Sequence, residues 1–182
     1  WSGDLTQEDP LAPLCKAAGW NYIHPDFRGP NWTREACCSS LAIGDIDEAI
    51  DFALAQGGVD PARIYVAGVS GGGYATLAMF MKSRHRFRKL SAWVPISDLE
   101  AWYRESRIRG HKYADDILAC PGSTDGVLNQ REARDRSPLA WETPPRQLDQ
   151  AELVINAGVY DGIQNSVPIT HSINFYNKIL RD

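Results

Sequence analysis

The segment Gly68-Val69-Ser70-Gly71-Gly72 fits the pattern G-x-S-x-G. An apolar, β-rich run (Ile64-Tyr65-Val66-Ala67) precedes it, and a helix-like stretch from Tyr74 to Met81 follows. These are the flanks a nucleophile elbow requires. A serine on so sharp a strand-to-helix turn projects its hydroxyl above the carboxyl edge of a sheet. The turn tolerates little bulk beside it, hence glycine on both sides. The next amide, that of Gly71, opens the helix, where an N–H can stabilise a developing oxyanion. Ser70 is therefore the candidate nucleophile and Gly71 a candidate oxyanion donor.

A serine nucleophile needs a base, and the base needs an acid to orient it. For this kind of elbow the chain order is Ser, then Asp or Glu, then His. Asp161 lies in Gly158-Val159-Tyr160-Asp161-Gly162, just beyond the β-rich run Glu152 to Ala157, so its loop falls on the same sheet edge. Asp98 also follows a predicted strand and is the alternative acid. Only His171 follows Asp161, in a predicted helix whose apolar residues are Ile169, Ile173, Tyr176 and Leu180. At about 100° per residue, His171 sits roughly 200° from Ile169, which predicts a solvated residue rather than the base. His24 ends a predicted strand, His85 lies in a basic run and His111 in a polar stretch; none is placed as a base. Trp102 and Tyr103, close to Asp98, are candidates for lining the substrate pocket.

Alternating elements must position these residues. Helical periods are predicted over 10–18, 41–55, 74–81, 99–108 and 166–180. Short strands are predicted at 20–23, 64–67, 90–96 and 152–157. Strands alternating with helices imply βαβ units and a mostly parallel sheet with helices on both faces. The polar, breaker-rich stretch 109–145 reads as a cap-like excursion within one domain, and the 182 residues suit a single domain. The 43% hydrophobic content argues against disorder. A net charge of −4 does not favour a nucleic-acid binder, and no apolar run reaches the length of a membrane span. The basic run Lys82 to Lys89 reads as a solvated helix end. Asp45, Asp47, Glu48 and Asp51 read as a solvent face rather than a metal site. The four cysteines (15, 37, 38 and 120) contain no C-x-x-C pair. They read as buried small hydrophobes; one disulfide is compatible with them, but spacing does not name its partners.

The chain resembles α/β-hydrolases of the prolyl-oligopeptidase-like serine hydrolase group, near proteins labelled xylan esterases or acyl-peptidases. The resemblance rests on WSGDLTQ, YIHPDFRGPN, DIDEAIDFA, VDPARIYVAGVSGGGYATLAMFMKS, SAWVPISDLEAWYRES and AGVYDGIQNSVPITHSINFYNKIL. It implies a nucleophile at Ser70 and an acid at Asp161, with a second oxyanion amide from the loop that begins at Trp1-Ser2. It also implies a catalytic histidine after one further strand, beyond Asp182. The chain is thus expected to lack the first strands and the last strand of the fold. Unpaired strand edges would make these residues alone unstable, or pair them with another chain as an oligomer.

The resulting expectation is a serine hydrolase acting by acyl transfer on a small ester or peptide, with carboxylic esters favoured and no metal or organic cofactor needed. The competing readings are a serine oligopeptidase of the same fold and a catalytically incomplete domain kept as a binding or assembly surface. A nucleotide-binding domain is disfavoured, because Gly68 to Gly73 offers neither G-x-G-x-x-G nor a P-loop lysine.

Overall fold

The computed structural model describes residues 10–182. Helices α1 (Leu11–Ala17) and α2 (Ser40–Ala55) lead to strand β1 (Tyr65–Val69), helix α3 (Gly71–Lys82) and strand β2 (Lys89–Trp93). Helices α4 (Leu99–Ile108), α5 (Tyr113–Ala119), α6 (Gln130–Asp135) and α7 (Pro145–Gln150) follow, with a 3-10 turn at Pro138–Ala140 between the last two. Strand β3 (Glu152–Asn156) and helix α8 (Ile169–Ile179) complete the described chain. The strands form one parallel sheet in the order β1-β2-β3. Val69 is level with Trp93, and Trp93 with Asn156, so all three carboxyl ends stop together. The ladder continues one residue further: Ser70 N–H donates to Trp93 O (2.8 Å) and Val94 N–H to Asn156 O (2.7 Å). Every loop that leaves this edge therefore starts from a fixed point.

Helix α3 is the centre of the core. Tyr74, Leu77, Met79 and Phe80 are almost wholly excluded from solvent, and α3 packs on β1 and β2, where Leu90 and Ala92 are fully buried. The opposite sheet face is open: Tyr65, Val69 and Trp93 are 43%, 64% and 50% exposed. Among the described residues no strand adjoins the outer edge of β1 or of β3. The 109–145 excursion folds back on the core, contributing Ala114, Ile117, Cys120, Ala133 and Trp141 to the same apolar cluster.

Three expectations are corrected. Residues 20–23 form no strand; Trp20 instead stacks on Tyr65 at 4.9 Å, and Asn21 Nδ2 donates to Gly58 O (3.1 Å). A strand persists only with a ladder partner, and no described strand runs beside this segment. Second, Asp47 is 4% exposed rather than solvated. It accepts from Ser83 Oγ and from Arg84 N–H (3.2 Å), tying the C-terminal end of α3 to α2. Asp51 takes the Arg84 guanidinium and lies 3.2 Å from His85 Nε2, so part of the basic run pins one helix to another. Third, α8 turns the other way: His171, Ser172 and Phe175 are buried, whereas Ile173, Tyr176 and Leu180 are 47%, 54% and 67% exposed. The wheel located a stripe correctly but could not say that Phe175, on the other side, would be the anchor.

Candidate active site

Ser70 occupies the N-cap position of α3 with φ 56° and ψ −114°, a conformation sparsely populated by residues other than glycine. The contrast with Ser39, N-cap of α2, shows what this does. Ser39 has φ −58° and its Oγ accepts from Ala42 N–H (3.2 Å), an ordinary cap. Ser70 Oγ makes no cap bond, although Ser70 O still accepts from Tyr74 N–H (2.9 Å) to start the helix. The positive φ releases the hydroxyl from the capping role and leaves it available for chemistry. Gly71, the first residue of α3, carries one of the amides that have no partner within a helix, on the positive end of its dipole.

Glycine matters at the elbow through close approach, at positions only partly those of the motif. A Cβ on Gly68 would lie 2.2 Å from Gly72 O, and one on Gly73 would lie 2.6 Å from Trp93 O. A Cβ on Gly72 would meet nothing within 4 Å. The expectation that both motif glycines clear the serine thus holds for Gly68 and is corrected at Gly72, whose place is taken by Gly73. We expect Gly68→Ala to abolish nucleophile function and to destabilise the protein by more than about 2 kcal/mol. Gly72→Ala, in the first turn of a helix, should be neutral or stabilising by up to about 1 kcal/mol. Urea denaturation of the two variants checks the contrast.

Asp161 is 7% exposed, and both carboxylate oxygens are held. Oδ2 accepts from Gly158 N–H (2.6 Å) and Oδ1 from Asn165 Nδ2 (3.0 Å). Its backbone is fixed as well: Asp161 N–H donates to Gly158 O (3.0 Å), and Ile169 N–H, opening α8, donates to Asp161 O (3.2 Å). Ser70 and Asp161, far apart in sequence, line one cavity of about 220 Å³ with Val94, Asn165, Ser166 and Val167. Sequence reasoning missed Asn165 and Val94. Asn165 follows Asp161 by four residues, a spacing with no diagnostic value alone. Val94 takes φ 41°, an outlier for a β-branched residue, which becomes visible only in the backbone. A larger groove of about 400 Å³ lies at Leu139, Asn174, Asn177, Lys178, Arg181 and Asp182, but neither Ser70 nor Asp161 lines it.

None of the four histidines lines the Ser70–Asp161 cavity. His24 is exposed, His85 is held at Asp47 O (3.0 Å) and Asp51, and His111 packs edge-on to Tyr113. His171 is 3% exposed, which corrects its expected solvation. Its Nδ1 accepts from Ser97 N–H (3.3 Å), its carbonyl accepts from Ser97 Oγ (2.9 Å), and its Nε2 lies 3.4 Å from Glu105 Oε2. It staples the first turn of α8, just after the Asp161 loop, to the β2–α4 loop that carries Val94. A residue in that role is felt through stability. His171→Gln is expected to lower kcat/KM of the whole protein by less than about tenfold, where loss of a base would cost several orders of magnitude. Steady-state kinetics with a thermal melt separate the two.

Asp98, the alternative acid, caps α4: its Oδ1 accepts from Glu100 N–H (2.9 Å) and Ala101 N–H (3.1 Å). Trp102 is buried and stacked on Tyr113 at 5.1 Å, and Tyr103 is buried with Oη 3.4 Å from Gly126 O. Neither is among the residues lining the cavity. Trp1 and Ser2 lie outside the described residues. Among the described residues no group of three or more His, Cys, Asp or Glu side chains is arranged to hold a metal ion, and no helix is long and apolar enough to cross a membrane.

A parallel sheet, a strained strand–serine–helix turn and a buried aspartate on a second loop of the same edge together make an α/β-hydrolase-like fold. The chain belongs to the prolyl oligopeptidase family, which it matches over residues 12–179. No curated protein matches it. Among solved structures it is similar to a puromycin-hydrolysing peptidase of Mycobacterium tuberculosis, with 25% identity and a TM-score of 0.59 over 78% of this chain and 20% of that one. An acylaminoacyl peptidase of Pyrococcus horikoshii shares the fold at 20% identity and TM-score 0.63, over 82% of this chain and 22% of that one. A candidate thioesterase of Silicibacter sp. does so at 18% identity and TM-score 0.59, over 89% of this chain and 53% of that one. The chain thus spans about a fifth of the length of the two peptidases.

Proposed function

We propose that this chain is the catalytic part of a serine hydrolase that cleaves carboxylic esters by acyl transfer. Ser70 is the nucleophile, Asp161 orients a histidine, and the Gly71 N–H is one oxyanion donor. The observation that supports this is convergence: a hydroxyl released from its capping role and a buried, doubly held carboxylate line one cavity. The second oxyanion amide is assigned to the Trp1-Ser2 loop. Because the four histidines lie elsewhere, the base is assigned to a residue outside these 182.

Ser70 Oγ would attack the carbonyl carbon as the base takes its proton, and the tetrahedral oxyanion would rest on the Gly71 amide. Collapse expels the alcohol, which carries away that proton, and leaves an acyl-serine. Water then attacks through the same base, releasing the acid and restoring Ser70. An ester is the substrate class that this machinery handles under either reading, since an alkoxide leaves more readily than an amine. Likeness to acylaminoacyl peptidases favours a second reading, an N-acylated peptide as substrate. The test is intact mass of the whole protein before and after a fluorophosphonate probe, followed by kcat/KM for p-nitrophenyl esters against acylated peptides. A single adduct on Ser70 with ester turnover is the expected result. Faster peptide turnover would favour the second reading. No adduct would leave a domain that binds without catalysing.

A further inference from the structure

Three of the four cysteines are buried together, and the fold distinguishes between the adjacent pair. The Cys37 thiol lies against the Cys120 thiol, while the Cys38 thiol lies against Tyr74. Cys37 and Cys120 are 3% and 0% exposed. Asn31 binds both residues: its Oδ1 accepts from Cys37 N–H (2.9 Å) and its carbonyl from Cys120 Sγ (3.0 Å). Cys37 and Cys38 take φ 53° and 50°, two successive left-handed residues without a glycine. Such backbone persists where its surroundings hold it. Here the holders are Tyr74 Oη at Cys37 O (3.0 Å), Arg136 Nη1 at Ala36 O (3.0 Å) and the Asn31 bond.

We propose that Cys37 and Cys120 are a disulfide-forming pair, which on oxidation locks the 31–39 loop to the C-terminal end of α5 behind the elbow helix. The oxidant is a small-molecule disulfide such as oxidised glutathione. One cysteine thiolate attacks it, forming a mixed disulfide and releasing one thiol. The second cysteine thiolate then attacks the protein sulfur and releases the other thiol. The two cysteines are oxidised by two electrons, the glutathione disulfide is reduced, and the two cysteine protons end on the released thiols. The contact with Cys120 and burial hold Cys37 well above the ordinary thiol range, and burial pushes Cys38 up to about 12. The Cys37 thiol is therefore inert in the folded state, and the bond forms while the chain folds or opens locally. The cross-link encloses α2, β1, α3, β2, α4 and α5. For so long a loop its loss on reduction should lower Tm by about 10 °C.

The test uses the whole protein, equilibrated in a mixture of oxidised and reduced glutathione, denatured, alkylated with N-ethylmaleimide and digested with trypsin. The expected product links the peptide carrying Cys37 and Cys38 to the peptide carrying Cys120, with Cys15 alkylated. Fragmentation at the Cys37–Cys38 bond should place the link on Cys37 and the maleimide on Cys38. Alkylation at all four positions, or a link through Cys15 or Cys38, would overturn the proposal. So would a cross-linked protein whose Tm does not change on reduction. Because these readouts come from the unmutated protein, they do not depend on a cysteine variant folding.

Discussion

Ser70→Ala is expected to lower kcat of the whole protein by about 10⁶-fold, equivalent to about 8 kcal/mol of transition-state stabilisation. The same substitution should change folding stability by less than about 0.5 kcal/mol. Both parts follow from the elbow geometry. Ser70 Oγ makes no cap bond, so removing it leaves the first turn of α3 without a lost partner. The backbone bonds that hold the residue, from Ser70 N–H to Trp93 O and from Tyr74 N–H to Ser70 O, survive in alanine. The strain at φ 56° is similar for the two residues. An ester assay and a thermal melt on the same preparation check this. Activity within tenfold of the parent would remove Ser70 from the chemistry, and unfolding would show that the hydroxyl is structural after all.

Asp161→Asn should be the second largest loss, about 10⁴-fold in kcat. As a carboxylate, Asp161 offers an acceptor to Gly158 N–H and another to Asn165 Nδ2, with lone pairs remaining for an imidazole N–H. An asparagine has one acceptor oxygen. Whichever way its amide turns, an NH₂ group faces one of those two donors, and the incoming histidine loses its orienting negative charge. The pH–rate profile gives a readout that simple unfolding would not mimic. The apparent pKa of the base should fall in the variant, because a neutral amide no longer stabilises the imidazolium. An unchanged profile with full activity would move the acid elsewhere, with Asp98 disfavoured by its two capping bonds.

Local patterns were legible where the chemistry is local. The turn at Ser70 is encoded by glycine beside serine between a β-rich run and a helical one. The helix 99–108 is encoded by an N-terminal aspartate that caps it and by its apolar period, and the structure reproduces those bounds. Where the answer depended on an unseen neighbour, the sequence misled. Trp20 to Ile23 has the composition of a strand, yet no described strand runs beside it. Asp47 sits in an acidic run that reads as solvated, yet Ser83 and Arg84 arrive from another helix to bury it. His171 lies opposite the apparent stripe of its helix, yet Phe175, at 0% exposure, shows that the buried side is the one His171 shares. Periodicity reports that a helix has two sides; packing decides which of them is inside.

The sequence by itself determined the candidates for the chemistry. A serine at a glycine-lined elbow and an aspartate just past a later strand can be recognised because each is a short-range constraint on the backbone. The tertiary structure alone decided which groups meet. It brought Ser70 and Asp161 to one cavity by aligning Val69, Trp93 and Asn156 at a common level. It excluded Trp102, Tyr103 and all four histidines from that cavity's lining, and it set Cys37, with Cys120, on Asn31. The physical reason is the range of the forces involved. Backbone sterics act between residues close in sequence and can be read from residue types. Burial and long-range hydrogen bonding are properties of neighbours that only the folded chain supplies.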